Sequence, residues 1–134
     1  MNSVLNEIEA GANGLLYTSE TDSPVEPFLW PQAQVGDGQL TAARLLKLSG
    51  QPADTRVERL DFARFFEPLG RIEEWYGAEE RAVALRYAVL RELLQARLTD
   101  LAVFAVGDTR RHLYVVGRTP AGDLAGLHTV AVET

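Results

Sequence analysis

With 134 residues, 46% of them hydrophobic and 24% charged, the chain has the size and balance of one globular domain with its own core. It contains no cysteine, which removes disulfides, thiolate metal sites and cysteine nucleophiles. Its 19 acidic and 13 basic residues leave a net charge of −6, a poor basis for direct DNA or RNA binding and a suitable one for a basic protein partner.

The amino-terminal stretch Met1 to Glu7 lacks the basic and apolar regions of a signal peptide. The longest apolar run, Leu101 to Val106, is far shorter than the ~20 residues a membrane helix needs. A cytoplasmic protein is the expectation. Val4, Leu5 and Ile8 put one apolar stripe on a first helix that stops near Gly11 and Gly14. Leu15 to Tyr17 is a short apolar run, and Thr18 to Ser23 a polar loop closed by Pro24. Val25 to Trp30 reads as a strand in which Pro27 argues for an edge position or a bulge. Held at both ends by buried anchors, the polar loop has the character of a recognition loop.

Gln32 to Gly38 reads as a connection, with Asp37 as the cap of a helix from Gln39 to Ser49 that Gly50 and Pro52 terminate. Arg56 to Leu60 is a candidate strand. Asp61 caps a short helix whose Phe62, Phe65, Phe66 and Leu69 fall on one face, a stripe that core packing explains better than a cofactor site. Gly70 breaks that helix. Trp75 and Tyr76 are neighbours about 100° apart on any helix, so one of them belongs at the surface, where aromatics anchor interfaces. Ala78 to Leu98 is the longest helix, with Val83, Tyr87, Leu90 and Leu94 as its inner stripe.

Three strands follow, Leu101 to Gly107, His112 to Arg118 and Leu124 to Val132, joined by Asp108 to Arg111 and by the turn Thr119 to Asp123. Helices early and strands late predict an α+β fold with a sheet covered by helices. The last strand runs into Glu133-Thr134, so a stiff element carries the final oxygens.

No phosphate-binding glycine loop, nucleophile elbow or His-Glu-x-x-His run is present. If Thr119 pairs with Leu124, His112 and His128 point to opposite faces of the sheet; a register shifted by one residue reverses this. The expectation is no catalytic residue and no enzyme. An enzyme built on His112, His128 and Glu20 stands as the third choice.

The ordered blocks Gly14-Leu15-Leu16-Tyr17-Thr18-Ser19-Glu20, Phe28-Leu29-Trp30, Glu74-Trp75-Tyr76-Gly77-Ala78-Glu79-Glu80, Thr119 to Gly126 and Val132-Glu133-Thr134 carry a resemblance. Through them the chain resembles the nuclease A inhibitor family, small proteins that block a sugar-non-specific ββα-metal nuclease. Gln32 to Phe65 is the divergent part.

The resemblance implies a three-layer α/β/α sandwich around a mainly antiparallel sheet of 4–5 strands. It implies one partner, a ββα-metal nuclease bound 1:1, and blockade of its active site. Glu20, Trp75 and Thr134 match the family's contact positions, with Thr134 approaching the Mg²⁺ of the nuclease. The chain is thereby expected to have no cofactor or metal of its own, and to touch neither nucleic acid nor membrane. The alternative is an acidic regulatory module for another basic partner.

Overall fold

The computed structural model describes residues 3–133. Helix α1 (Ser3–Ala12) buries Ile8 and Ala12 and gives way to a small hairpin, β1 (Leu16–Thr18) and β2 (Asp22–Pro24). Next come strand β3 (Glu26–Trp30), the single-turn helix α2 (Gln32–Val35) and helix α3 (Ala42–Ser49). Strand β4 (Val57–Leu60) and helices α4 (Phe62–Gly70) and α5 (Ala78–Arg97) lead into a meander of β5 (Thr99–Val106), β6 (Arg110–Arg118) and β7 (Leu124–Val132). Among the described residues no helix is long and apolar enough to cross a membrane.

The main sheet has five strands in the order β3-β7-β6-β5-β4, with every neighbouring pair antiparallel. Side chains alternate along each strand, so the register sorts them onto two faces. Val103, Val115, Ala125 and Leu127 meet Ile8 of α1, Phe62 and Phe66 of α4, and Tyr87, Leu90 and Leu94 of α5. Ala102, Phe104, Tyr114, Val116 and Leu124 meet Val35 of α2 and Leu45 and Leu46 of α3. Helices therefore pack against both faces, an arrangement compatible with α/β/α layers. Double coverage also explains why Leu101 to Val106 is an unbroken apolar run rather than an alternating one. Pro27 sits on the edge strand β3, where its missing N–H costs no ladder bond.

Several local expectations need correction. Helix α3 starts at Ala42, and its cap is Thr41, whose Oγ1 accepts from the Arg44 N–H at 3.2 Å. Asp37 instead accepts from the Gln32 side-chain amide at 2.7 Å, within a segment where Gln32 to Val35 form α2 rather than a plain connection. The cap at Asp61 and the left-handed stop at Gly50 are as the sequence predicts. Helix α4 runs through Gly70 instead of ending before it. On α5 the inward position of the first turns is Ala84; Val83 is 44% exposed because no element covers that flank.

The β6–β7 register is also one residue from the predicted one: Arg118 pairs with Leu124. Thr119 donates its N–H to the Asp123 carbonyl at 2.8 Å and accepts at Oγ1 from the Asp123 N–H at 3.1 Å, so those two residues close the turn. The shift brings His112 and His128 onto the same face.

Where β7 lies between β3 and β6, Gly126 has no room for a side chain, because an added Cβ would collide with the Val115 carbonyl oxygen. Gly126→Ala is expected to lower stability by about 1–3 kcal/mol or more through overpacking. Gly38→Ala, where nothing lies within 4 Å, should leave stability near wild type. Urea unfolding of both variants checks the contrast, and equal midpoints would remove the close-packing argument.

Candidate functional site

The β1–β2 turn is built by its own polar residues. Ser19 donates its backbone N–H to the Thr21 carbonyl at 2.9 Å and its hydroxyl to the same oxygen at 3.2 Å. The hydroxyl oxygen also accepts the Val132 N–H at 3.0 Å, and Glu20 donates its N–H to the Val132 carbonyl at 3.2 Å. Glu133 then donates its N–H to Thr109 in the β5–β6 turn at 2.9 Å. The end of β7 is thus strapped between two turns, and the exposed Glu20 stands beside it. Thr134, the third predicted contact, lies outside the described residues.

Trp75 belongs to the loop between α4 and α5. It is 74% exposed and meets Tyr76 edge-on, with ring centroids 4.6 Å apart. The loop is fixed by local bonds: Tyr76 N–H to Glu73 O at 3.1 Å, Gly77 N–H to the Glu80 carboxylate at 3.1 Å, and Arg81 Nε to Tyr76 O at 3.2 Å. An indole left this far in water by a well-anchored loop fits a contact residue better than a core residue.

Between this loop and β1 is an open cleft of about 450 Å³. Leu16 and Thr18 form one side, Trp75 and Tyr76 the other, with Leu69, Val83 and Tyr87 also lining it. The Tyr87 hydroxyl donates to the Leu16 carbonyl at 2.6 Å, tying α5 to β1 beneath the opening. Burial pushes the Tyr87 phenol up to about 12, so it remains a donor at any working pH. Trp75 and the hairpin carrying Glu20 therefore flank one surface, apolar in the middle and acidic at Glu79 and Glu80. Leu16 and Val83 were not legible as members of this surface, since each reads in sequence as ordinary core; Tyr76 lines it together with Trp75, although the sequence asked for only one of the two at the surface.

The histidines form a separate feature on the α2/α3 face. His112 Nδ1 and His128 Nε2 are 3.0 Å apart, their rings are stacked, and Tyr114 packs on His128 at 4.8 Å. The carboxylate acting on His128 is Glu26, its neighbour across β3, rather than Glu20. Among the described residues, no three His, Cys, Asp or Glu side chains are grouped to hold a metal ion.

The family model for NuiA, nuclease A inhibitor-like protein, matches residues 2–134. The chain belongs to the nuclease A inhibitor-like family. The matched range runs through the divergent segment Gln32 to Phe65 as well as the blocks at either end. No curated protein matches the chain. In this nuclease A inhibitor-like chain, β1 thus shares a cleft with the α4–α5 loop, and the turn after β1 is bonded to the end of β7.

The histidine pair gives the domain a defined pH response. Burial lowers both imidazoles from their ordinary 6.5; Arg110 depresses His112 further and His112 depresses His128, while Glu26 opposes this at His128. A depressed folded value means that the unfolded chain takes up protons the folded pair refuses. The contribution is complete above the ordinary value and is lost as pH falls towards the folded values. Urea midpoints are expected to drop between about pH 7.5 and about pH 5.5, and the drop should be smaller in His128→Gln. An identical drop in that variant would assign the effect to other groups.

Proposed function

We propose that this protein inhibits a sugar-non-specific endonuclease of the ββα-metal class by occupying its active site. The observation that carries the reading is the joining of the Glu20 turn to the last strand through Val132, beside a cleft whose far wall is Trp75. Family membership supports a nuclease as the partner. The net charge of −6 suits an enzyme whose substrate is a polyanion, because an acidic face speeds encounter with a basic one.

The chemistry follows from what such a nuclease must do. Its divalent ion acts as a Lewis acid on the scissile phosphate and the leaving oxygen. Mg²⁺ prefers six oxygen ligands and keeps exchangeable waters. Thr134, two residues after Val132 in the sequence, offers an oxygen that can replace such a water and brings no phosphodiester to cleave. Glu20 supplies negative charge where a phosphate would sit, or pairs with a basic residue of the enzyme. Trp75 contributes apolar area that leaves water on binding, as hot-spot aromatics do. The ion belongs to the nuclease, and this chain carries out no reaction of its own.

Plasmid cleavage by a ββα-metal nuclease in Mg²⁺ tests the reading. One equivalent of the protein is expected to abolish cleavage, and Trp75→Ala to weaken inhibition by about 2 kcal/mol, roughly 30-fold. Deleting Thr134 should weaken it by a comparable factor. Full potency without Thr134 would reject the metal approach and leave steric blocking. Cleavage that persists at a large excess of the protein would instead favour an acidic module for another basic partner.

A further inference from the structure

Arg111 and Ser19 are polar residues beside the end of β7 that the proposed contacts leave without a role. Arg111 is the second residue of β6 and lies on the α1/α4/α5 face with only 16% of its side chain exposed. Its Nη1 reaches Glu58 of β4 at 3.1 Å, and its Nη2 lies 3.9 Å from Glu133. Among the described residues, its buried Nε hydrogen has no partner. Withdrawing a guanidinium from water is costly, so two carboxylates converging on it mark a fixed junction rather than a loose surface pair. Tyr17 feels the same junction: burial first, then Glu133, raise its phenol, and Arg111 opposes them.

Ser19 makes the second junction. One hydroxyl both closes the β1–β2 turn on Thr21 and accepts the Val132 N–H, so the turn cannot shift without releasing the strand end. Val132 and Glu133 are consecutive, hence Ser19 bonds the first from the hairpin, and Arg111, from the sheet, lies within ion-pair distance of the largely exposed carboxylate of the second.

We propose that Ser19 and Arg111 are positioning residues: they hold the Glu20 turn and the exit of β7 as one body towards the partner. This rests on the inhibitor reading above. Neither residue needs to touch the nuclease. Their work is done in the free protein, where fixing the contact groups in advance removes an ordering cost that binding would otherwise carry.

Affinity for one ββα-metal nuclease, measured by surface plasmon resonance, and hydrogen exchange at the Val132 amide test this together. Ser19→Ala and Arg111→Gln are each expected to weaken binding by about tenfold and, for Ser19→Ala, to speed Val132 exchange. Ser19→Thr, which keeps the hydroxyl, should stay within about threefold of the unaltered chain, and Arg111→Lys serves if the glutamine variant fails to fold. The decisive readout is coupling: Ser19→Ala should cost much less in a Glu20→Ala background, and Arg111→Gln much less once Thr134 is deleted. Unaltered affinity, or penalties of the same size in both backgrounds, would make these residues ordinary packing and overturn the proposal. A nuclease that ignores the unaltered chain would overturn the inhibitor reading itself, which is a separately visible result.

Discussion

The hydrogen bond from the Val132 amide to the Ser19 hydroxyl is the constraint on which the proposed partner-facing end depends. Alone, the β1–β2 hairpin is a three-residue strand pair, too short to be stable; this bond, beside that of the Glu20 N–H to the Val132 carbonyl, fastens its turn to the end of β7. With it, a polar turn and a strand end become parts of the same sheet-borne surface. The rest of the fold supplies stiffness. Strand β7 lies between β3 and β6, so its position is set on both sides before it reaches Val132.

The two faces of the sheet divide the work. On one, α1, α4 and α5 build the larger core and hold the hairpin through Tyr87, whose hydroxyl reaches the Leu16 carbonyl. On the other, α2 and α3 cover Phe104, Tyr114 and Val116, while Phe28 and Trp30 of the edge strand pack alongside. The histidine pair sits on that second face, across the sheet from the Arg111 junction, because adjacent residues of β6 point opposite ways. One strand start therefore serves two unrelated electrostatic features.

Much of this was legible in the residues because local chemistry decided it. The helix caps at Asp61 and Gly50, the long α5 periodicity and the three-strand meander all follow from short-range rules, and the structure has them. Errors arose where a tertiary contact chose between locally equivalent options. Thr41 rather than Asp37 caps α3, since Asp37 is engaged by Gln32. Val83 faces the cleft because nothing packs over it, although its helical phase matches the inner stripe. The hairpin register turned on Thr119 bonding Asp123, and one residue of difference moved two imidazoles from opposite faces to contact.

The surface was legible only in pieces. Glu20 and Trp75 came from resemblance; Trp75 lines a cleft with Leu16 and Thr18 of β1, and Glu20 lies in the turn that follows that strand. The Arg111 junction was hidden because Asp108-Thr109-Arg110-Arg111 reads as a turn, whereas β6 already begins at Arg110. The claim most open to direct test is the location of the interface. Hydrogen–deuterium exchange of the protein, alone and with a ββα-metal nuclease in Mg²⁺, reads it segment by segment. The account predicts new protection at residues 16–22, 72–83 and 130–134, with α3 unchanged. Protection centred on α2 and α3, with those three segments unaffected, would contradict it.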